Sequence, residues 1–322
     1  MSKDVFYVGI DVGKDELWAS MANIKPRSFK HTPAGIKRLQ KWAERGAQKT
    51  PLHFCLEGTG VYSISVATLL LKVTEVRISI VNPAQIKSFA AAQLRRCKTD
   101  CVDAEVIRQF AESTHPPLWQ PPSRSQQELY ELVLLRDQLA SEIRRWENRG
   151  HSRKYLDNVP KLIPQTYRKI INSLRRQLEK TEEAIKAFVA KDAETAQKMA
   201  LLSTIPGIAQ TSSVQLMAYG QGWLTQRTPK ALVAHAGLAP HPRQSGSSLK
   251  SGGSLDKRGN RKIRTILYMP TVTAIQHNPT IKNFYNRLCN RGKPKKVAIA
   301  AAEKKLLLIA RAVLIHKKTF ST

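Results

Sequence analysis

Four acidic residues in the first third of the chain stand where carboxylates can support metal chemistry. Asp11 closes one apolar, β-rich run and Glu57 closes a second. Asp100 and Asp103 are three residues apart, a spacing that places two side chains on one face of a helix. If two strand ends and a helix converge, the repulsion between their carboxylates must be relieved by a cation. Hard divalent ions take oxygen ligands, and a pair about 3.5–4 Å apart can bind both oxygens of an in-line phosphoryl displacement.

The surroundings of Asp11 are typical of one class of enzyme. A strand that ends in Asp and is followed by Gly, within an α/β domain, is the layout of a ribonuclease-H-like nuclease. For any single acid the alternative is a helix cap or a solvated surface charge. Two carboxylates that both close apolar strands favour a shared site over that alternative.

A polar loop rich in Ser and Gly is predicted at residues 244–253 and forms a second candidate site. A hydroxyl group among cations can attack a phosphodiester while the cations stabilise the developing charge. The alternative is a flexible linker, since Ser/Gly-rich segments commonly serve that purpose. We predict that basic residues in and on either side of this segment bind nucleic acid: Arg243, Lys250, Lys257, Arg258, Arg261 and Lys262.

The third candidate is the sequence Ile-Pro-Gly-Ile at residues 205–208, between two runs with helical spacing. It resembles the hairpin of a helix-hairpin-helix element, in which backbone N–H groups meet a phosphate without reading the base sequence. Gly207 is the predicted point of contact. The alternative is an ordinary corner between two helices.

Hydrophobic periodicity divides the chain into three predicted domains. Residues 1–122 alternate predicted strands (6–12, 53–56 and 76–81) and helices (35–45 and 61–71), which indicates an α/β domain with a mixed or parallel sheet. Residues 123–198 carry apolar side chains at helical spacing among charges, which indicates a coiled-coil hairpin serving as a connector or oligomerisation arm. An ordinary helical subdomain fits that periodicity equally well. Residues 199–322 are predicted to be mainly helical, with basic amphipathic helices around 262–276 and 297–316.

The charge of the chain indicates a polyanionic partner. Its 322 residues include 53 Lys and Arg against 24 Asp and Glu, a net charge of +29. From Leu201 onward there are twenty basic residues and only two acids, Asp256 and Glu303. Such an excess fits DNA, RNA or an acidic membrane surface.

Several classes of protein are excluded by the same sequence. No apolar stretch approaches the ~20 residues that span a bilayer, and the N-terminus lacks the layout of a secretory signal. Four cysteines are too few for a disulfide framework in a chain of this length. We therefore expect a cytoplasmic protein that does not associate with membranes.

Taken together, these motifs resemble the DEDD-type insertion-sequence transposases of the one-ten/eleven-eleven group. These are bridge-RNA-guided DNA recombinases related to Piv-type invertases. The motifs extend over nearly the whole chain in the order of the family. They are Tyr7-Val8-Gly9-Ile10-Asp11, Leu56-Glu57-Gly58-Thr59-Gly60-Val61-Tyr62, Val81-Asn82-Pro83, Lys98-Thr99-Asp100-Cys101-Val102-Asp103-Ala104, Ile205-Pro206-Gly207-Ile208, Ala236-Gly237-Leu238-Ala239-Pro240 and Ser245-Gly246-Ser247-Ser248.

The resemblance implies a fold, a set of catalytic residues and partners. The fold would be a RuvC-like domain, a coiled-coil connector and a C-terminal transposase domain. Ser245 would be the nucleophile that forms a transient covalent link to DNA. The partners would be donor and target duplex DNA, a structured noncoding guide RNA and further copies of the chain, as a dimer assembling into a tetramer. The tetrad binding Mg²⁺, as a two-metal site, would be Asp11, Glu57, Asp100 and Asp103.

The same resemblance implies a bacterial, nucleoid-associated enzyme whose tetrad and serine come from different subunits. Two positions depart from the family pattern: Ala209 in the hairpin and Gly58 after the glutamate. Two other functions remain open at this point. One is a RuvC-like metal-dependent nuclease or junction resolvase that forms no covalent intermediate, and the other is a non-catalytic architectural protein that binds RNA or DNA.

Overall fold

The computed structural model describes residues 5–73, 76–94, 99–153, 155–220, 222–245, 249–255 and 259–321, with the backbone alone for 241–245 and 249–254. The chain divides into two compact units, Met1–Pro121 and Pro122–Thr322. None of the described helices is both long and apolar enough to cross a membrane.

The first unit is an α/β unit built on a mixed five-stranded sheet in the order β3-β2-β1-β4-β5. Strand β1 pairs antiparallel with β2 and parallel with β4, and β4 pairs parallel with β5. Its elements are β1 (Phe6–Val12), β2 (Glu16–Met21), β3 (Ile24–Lys30), α1 (Pro33–Ala47), β4 (Leu52–Glu57), α2 (Val61–Val73), β5 (Arg77–Val81), α3 (Pro83–Ala92) and α4 (Asp100–Thr114).

Two cores cover the two faces of this sheet. Alternate residues of a strand point to opposite faces, and Val8 and Ile10 of β1 pack with α1 and α2 in one core. The other core contains Cys55 of β4 and Ile107 of α4. The sheet is therefore covered by helices on both faces, with α4 opposite α1 and α2.

The second unit is mainly helical and contains one small two-stranded sheet. Its elements are α5 (Arg124–Arg153), α6 (Leu162–Lys191), α7 (Ala193–Ser203), α8 (Gln210–Gly220), α9 (Trp223–Gln226), α10 (Pro229–His235), β6 (Pro240–Ser245), β7 (Leu249–Leu255), α11 (Arg261–His277), α12 (Pro279–Asn290) and α13 (Lys295–His316). One apolar core joins residues of α5 and α6 with residues of α7 to α13.

Helices α5 and α6 form an antiparallel hairpin. The ion pairs Arg136 to Glu182 (3.3 Å) and Arg175 to Glu147 (2.6 Å) run between them, the first near the base and the second toward the tip. Asp192, at the start of α7, is the N-cap residue and accepts from the backbone N–H of Thr195. The helical periodicity of residues 123–198 is thus realised as two helices of thirty residues each.

The Ser/Gly-rich segment differs from the sequence prediction. An irregular loop was expected over 244–253, but the described part forms β6 and β7, paired antiparallel with Gln244 opposite Lys250. Pairing satisfies backbone N–H and C=O groups that a loop would leave to water. Strand β3 and helices α3 and α12 were also not predicted, and the two basic helices expected near the C-terminus are present as α11 and α13.

Candidate active site

Strands β1 and β4 carry Asp11 and Glu57 to the same edge and the same face of the sheet. The strands are parallel neighbours with Ile10 opposite Leu56, so the two acids follow directly after one pair. Ile10 and Leu56 both point into the core beneath α1 and α2. Because side chains alternate along a strand, Asp11 and Glu57 both point to the opposite face, where α4 lies.

Helix α4 supplies Asp100 and Asp103 from its first turn. The helix begins after Thr99, whose Oγ1 accepts from the backbone N–H of Val102 at 3.4 Å. Carboxylates in the first turn are stabilised by the positive end of the helix dipole. The cap thus fixes where the helix starts and places both acids at its N-terminal end.

Gly9 permits the close approach of α4 to β1. A Cβ atom at this position would lie 2.3 Å from the carbonyl oxygen of Ala104 and 2.3 Å from the backbone nitrogen of Arg108. Any side chain at residue 9 would push the helix away from the strand. The glycine lies two residues before Asp11 on the same face, so it determines how near the first turn of α4 can come to that carboxylate.

The four acids act on one another electrostatically. The pKa of Asp11 is raised from 3.8 to about 6, first because the side chain is half-buried, then through repulsion by Asp103, Asp100 and Glu57. A hydrogen bond from the backbone of Val12 opposes this shift. The charges of Glu57, Asp100 and Asp103 thus reach Asp11, and a shared metal site at these four residues stays a prediction.

The donor set suits a hard divalent cation, since all four groups offer carboxylate oxygens. The raised pKa of Asp11 indicates negative charge that a cation would neutralise. In the part of the chain that the structure describes, no three His, Cys, Asp or Glu side chains are grouped so that they could already hold a metal ion. The chemistry of the carboxylate ligands fits the metal, but their arrangement as described does not yet form a metal site.

His31 beside this site was not identified from the sequence. Its Nδ1–H donates to the carbonyl oxygen of Gly13 (3.2 Å), so its Nε2 accepts from the hydroxyl of Ser65 (3.3 Å). The ring also meets Tyr62 edge-on, with centroids 6.1 Å apart. His31 thereby ties the turn after β1 to helix α2, which follows Glu57. These residues are far apart in the chain, and nothing in their spacing predicts the contact.

The candidates of the second unit lie on the serine hairpin, defined as β6, β7 and the residues between them, and on helix α11. Ser245 is the last residue of β6 and pairs with Leu249. For Ser245, Arg243 and Lys250 the backbone alone is described. Lys257, Arg258 and residues 246–248 lie outside the described residues.

Helix α11 presents Arg261 and Lys262 in its first turn, and both are exposed. Asn260 caps the helix, its side chain accepting from the backbone N–H of Lys262 at 2.9 Å. The ammonium group of Lys262 lies 5.7 Å from the centre of the Tyr219 ring. The exposed cations leave the first turn of this helix open to an anionic partner.

Gly207 has a structural role that the sequence analysis missed. Its φ of +107° suits glycine, and a Cβ atom would lie 2.6 Å from the carbonyl oxygen of Pro270 and 2.7 Å from Cβ of Ala274. The turn between α7 and α8 therefore packs directly on α11. Packing alone explains the glycine, and contact with a phosphate remains a prediction.

Comparison with known proteins identifies the family. Residues 8–159 match the DEDD transposase model of the IS110 group, and residues 199–286 match the model described as "Transposase IS116/IS110/IS902 family". The "Pilin gene-inverting protein" of Moraxella bovis is 30% identical over 325 residues, covering 98% of this chain and 97% of that protein. Its counterpart in Moraxella lacunata is 29% identical, with the same coverage.

A more distant relative is an insertion-element protein. The "Insertion element IS110 uncharacterized 43.6 kDa protein" of Streptomyces coelicolor is 27% identical over 115 residues, which are 35% of this chain and 28% of that protein. The full-length similarity to the Moraxella bovis protein and the two family matches lead to one conclusion. The chain belongs to the IS116/IS110/IS902 family of transposases and is a DNA recombinase or transposase.

Proposed function

We propose that the first unit is a RuvC-like nuclease domain whose tetrad (Asp11, Glu57, Asp100 and Asp103) binds Mg²⁺, in a two-ion site, for strand cleavage and transfer on DNA. The observation that carries this proposal is the placement of Asp11 and Glu57 at the ends of neighbouring parallel strands, on the face of the sheet covered by α4, whose first turn holds Asp100 and Asp103. The strand order, with parallel strands on one side of β1 and antiparallel strands on the other, supports it as well. When bound, the ions would orient the scissile phosphate and stabilise charge on its attacking and leaving oxygens.

The residues of the first unit would prepare this site before the ions bind. Gly9 lets α4 approach β1, and His31 holds the turn after Asp11 against α2. The raised pKa of Asp11 means that binding of a cation below about pH 6 would release a proton. Metal affinity would therefore fall as the pH is lowered through that range.

We further propose Ser245 as the nucleophile. Its hydroxyl oxygen would bond to the phosphorus and lose its proton, while the bond from phosphorus to the leaving DNA oxygen breaks and that oxygen takes a proton. The phosphodiester is conserved as a serine ester, so a DNA hydroxyl can reverse the reaction and reseal a strand without an external energy source. The cations of the serine hairpin and α11 would stabilise charge on the phosphate.

The proposed partners follow from the charge. The basic residues would contact the backbones of donor and target duplexes and of a structured guide RNA, whose base pairing supplies sequence specificity. The tetrad and the serine would come from different subunits of a tetramer assembled from dimers. Mass measurement of the purified protein, with sequencing of any RNA that copurifies, tests both points.

Two substitutions test the catalytic proposal. Asp11→Asn should abolish strand cleavage and leave DNA binding within about twofold, whereas Asp15→Asn, an exposed acid four residues away, should cleave normally. Cleavage by Asp11→Asn at the wild-type rate would contradict the tetrad. Ser245→Ala should lose the covalent adduct, which a denaturing gel detects.

The two alternative functions give different outcomes in the same assays. Hydrolytic nicking with no adduct in the wild-type protein would indicate a nuclease or junction resolvase in which the serine is not the nucleophile. Tight binding without cleavage under any metal condition would indicate an architectural protein. If the covalent adduct still forms in Ser245→Ala, the nucleophile would instead be assigned to Ser247 or Ser248.

A further inference from the structure

The serine hairpin is closed at its base by contacts between its two ends. The backbone N–H of Asn260, after β7, donates to the carbonyl oxygen of His235, before β6, at 2.6 Å. A Cβ atom at Gly259 would lie 2.2 Å from the backbone nitrogen of Gly237 and 2.7 Å from the carbonyl oxygen of Ala234. The chain that enters the hairpin and the chain that leaves it are thus in direct backbone contact.

Arg264 of helix α11 joins the same two ends. One guanidinium nitrogen, Nη1, donates to the carbonyl oxygens of Ala236 (3.2 Å) and Gly259 (3.4 Å). The first carbonyl lies on the entering side of the hairpin and the second on the leaving side. Unlike the exposed Arg261 and Lys262, the side chain of Arg264 turns inward and is half-buried.

A buried carboxylate acts on this arginine. Glu303 of helix α13 is 6% exposed, in a part of the chain, from Leu201 onward, that has twenty basic residues and two acids. Burial raises the pKa of Glu303 to about 7, and the positive charge of Arg264 opposes that rise. Burying a carboxylate costs free energy unless a nearby charge offsets it. The one charged group that opposes the shift of Glu303 is Arg264.

His235, the residue before the serine hairpin that accepts from Asn260, is also held by an aromatic contact. The ring of His235 stacks on Trp223 with centroids 4.0 Å apart and planes 3° apart. Burial lowers the pKa of His235 to about 4, so the ring is neutral near pH 7. Arg311 of α13 donates two hydrogen bonds to the carbonyl oxygen of Arg227, whose own guanidinium lies over Trp223. Helix α11 therefore bonds directly to the chain that enters the hairpin, and α13 is linked to it indirectly, through Arg227 and Trp223.

From this geometry we propose that Arg264, which bonds to both ends of the serine hairpin, is a positioning residue that fixes the base of that hairpin. It would hold Ser245 at a defined place for attack on DNA, a consequence that rests on the proposed nucleophile. An isolated two-stranded hairpin is only marginally stable in water, so bonds that tie its base to a helix contribute to where its strands lie. A displacement of about 1 Å at a reacting group can lower a rate by up to about a hundredfold.

The test measures the hairpin and the reaction separately in the full-length protein. Arg264→Gln should increase hydrogen–deuterium exchange of backbone amides in peptides covering residues 235–262. It should also slow adduct formation at saturating duplex DNA by about tenfold to a hundredfold, with DNA affinity within twofold of wild type. Arg264→Lys keeps the charge but loses the planar donor arrangement, and should restore part of the rate.

A matched variant makes the result specific. Lys282→Gln removes one positive charge from an exposed position on α12 and should change neither exchange nor rate. Should Arg264→Gln leave exchange and adduct rate unchanged, the whole proposal is overturned.

The proposal can fail independently of the nucleophile. If Ser245→Ala still forms the adduct, the nucleophile assignment fails, and the exchange data alone decide whether Arg264 fixes the hairpin. If Arg264→Gln unfolds the second unit, Arg264→Lys is the deciding variant. An adduct rate below wild type in Arg264→Lys, with an unchanged thermal transition, then supports positioning, and a wild-type rate opposes it.

Discussion

Asp11 holds a carboxylate in surroundings that oppose its ionisation. The difference between a pKa of about 6 and the ordinary 3.8 corresponds to at most ~3 kcal/mol, which solvent screening at a half-buried site lowers to about 1–2 kcal/mol. Because the pKa is raised in the folded state, the stabilisation it provides is present below about pH 4. It is lost as the pH rises through 6.

The direction in which stability changes with pH gives a prediction for the metal-free protein. Asp11→Asn should unfold at a higher temperature than wild type at pH 8, by an amount equivalent to about 1–2 kcal/mol, with little difference near pH 4. Mg²⁺ should raise the melting temperature of wild type and change that of the variant less. Calorimetry at both pH values, with Asp15→Asn as control, checks it. Equal melting temperatures at pH 8 would mean that the four charges do not oppose folding.

Gly9 gives a second prediction at the scale of one residue. Gly9→Ala inserts a methyl group 2.3 Å from two backbone atoms of α4, so the helix must move away from β1. We expect a loss of about 1–3 kcal/mol in unfolding free energy and a larger loss of cleavage. Denaturant titration and a cleavage assay measure the two effects.

Gly150→Ala is the control for that substitution. A Cβ atom there would have Cδ2 of Tyr167 as its neighbour, at 3.7 Å, an ordinary contact in the last turn of α5. Alanine favours helix more than glycine does, so this change should leave the stability unchanged or raise it by up to about 0.5 kcal/mol. Gly9→Ala that proves as stable as Gly150→Ala would contradict the close approach of α4.

The sequence indicated the acidic candidate residues but not the residues that position them. Asp11 and Glu57 could be found because each closes an apolar strand, and parallel neighbouring strands end at one edge of a sheet. Asp100 and Asp103 were recognisable from their spacing. Neither His31 nor Arg264 could be found in this way, because their hydrogen bonds join residues brought together only by the tertiary fold.

Among the elements, the helical hairpin is attached to the rest of its unit through Asp137 of α5. Its carboxylate accepts from Gln215 Nε2 (2.8 Å) and from the Tyr219 hydroxyl (2.9 Å), both on α8, and pairs with Arg136 (3.2 Å). The side chain is 12% exposed. Burial, followed by the hydrogen bond to Asp137, raises the pKa of Tyr219.

Removing this carboxylate should loosen the hairpin from α8. Asp137→Ala leaves the buried Tyr219 hydroxyl without its acceptor, which costs about 1–3 kcal/mol, or roughly 2–12 °C in the melting temperature of a unit this size. Glu128→Ala, at an exposed position on the same helix, should be nearly neutral. Thermal unfolding of both variants decides the matter. If Asp137→Ala and Glu128→Ala unfold at the same temperature, Asp137 does not stabilise the contact between α5 and α8.

Elements were predicted well where apolar periodicity is strong and poorly where polar residues dominate. Helix α1 and strands β1 and β4 bury regular apolar positions and were evident in the sequence. Strand β3 reads Ile-Lys-Pro-Arg-Ser-Phe-Lys and resembles a loop, since pairing with β2 rather than its own pattern makes it a strand. The serine hairpin was missed for the same reason.

Over the whole molecule, the excess of positive charge predicts binding that depends strongly on salt. Affinity for duplex DNA should fall linearly in log–log form as salt rises. The double variant Arg261→Gln/Lys262→Gln should reduce the slope by about 2. Fluorescence anisotropy at several salt concentrations measures the slope. Lys37→Gln/Lys41→Gln removes the same charge from exposed positions of α1 and should leave the slope unchanged, so an equal change in both would refute a localised interface.

The two helices of the helical hairpin set how far its tip lies from its base. At 1.5 Å per residue, thirty residues make each arm about 45 Å long, roughly the length of 13 base pairs of DNA. Within the described parts of the two helices, the buried side chains lie away from the tip: Leu129, Val133, Ile143, Thr181 and Ile185. Deleting one heptad from each arm near the tip would therefore shorten the helical hairpin by about 10 Å and leave the buried side chains in place. The distance from the base of the hairpin to its tip could then be changed without changing the catalytic residues.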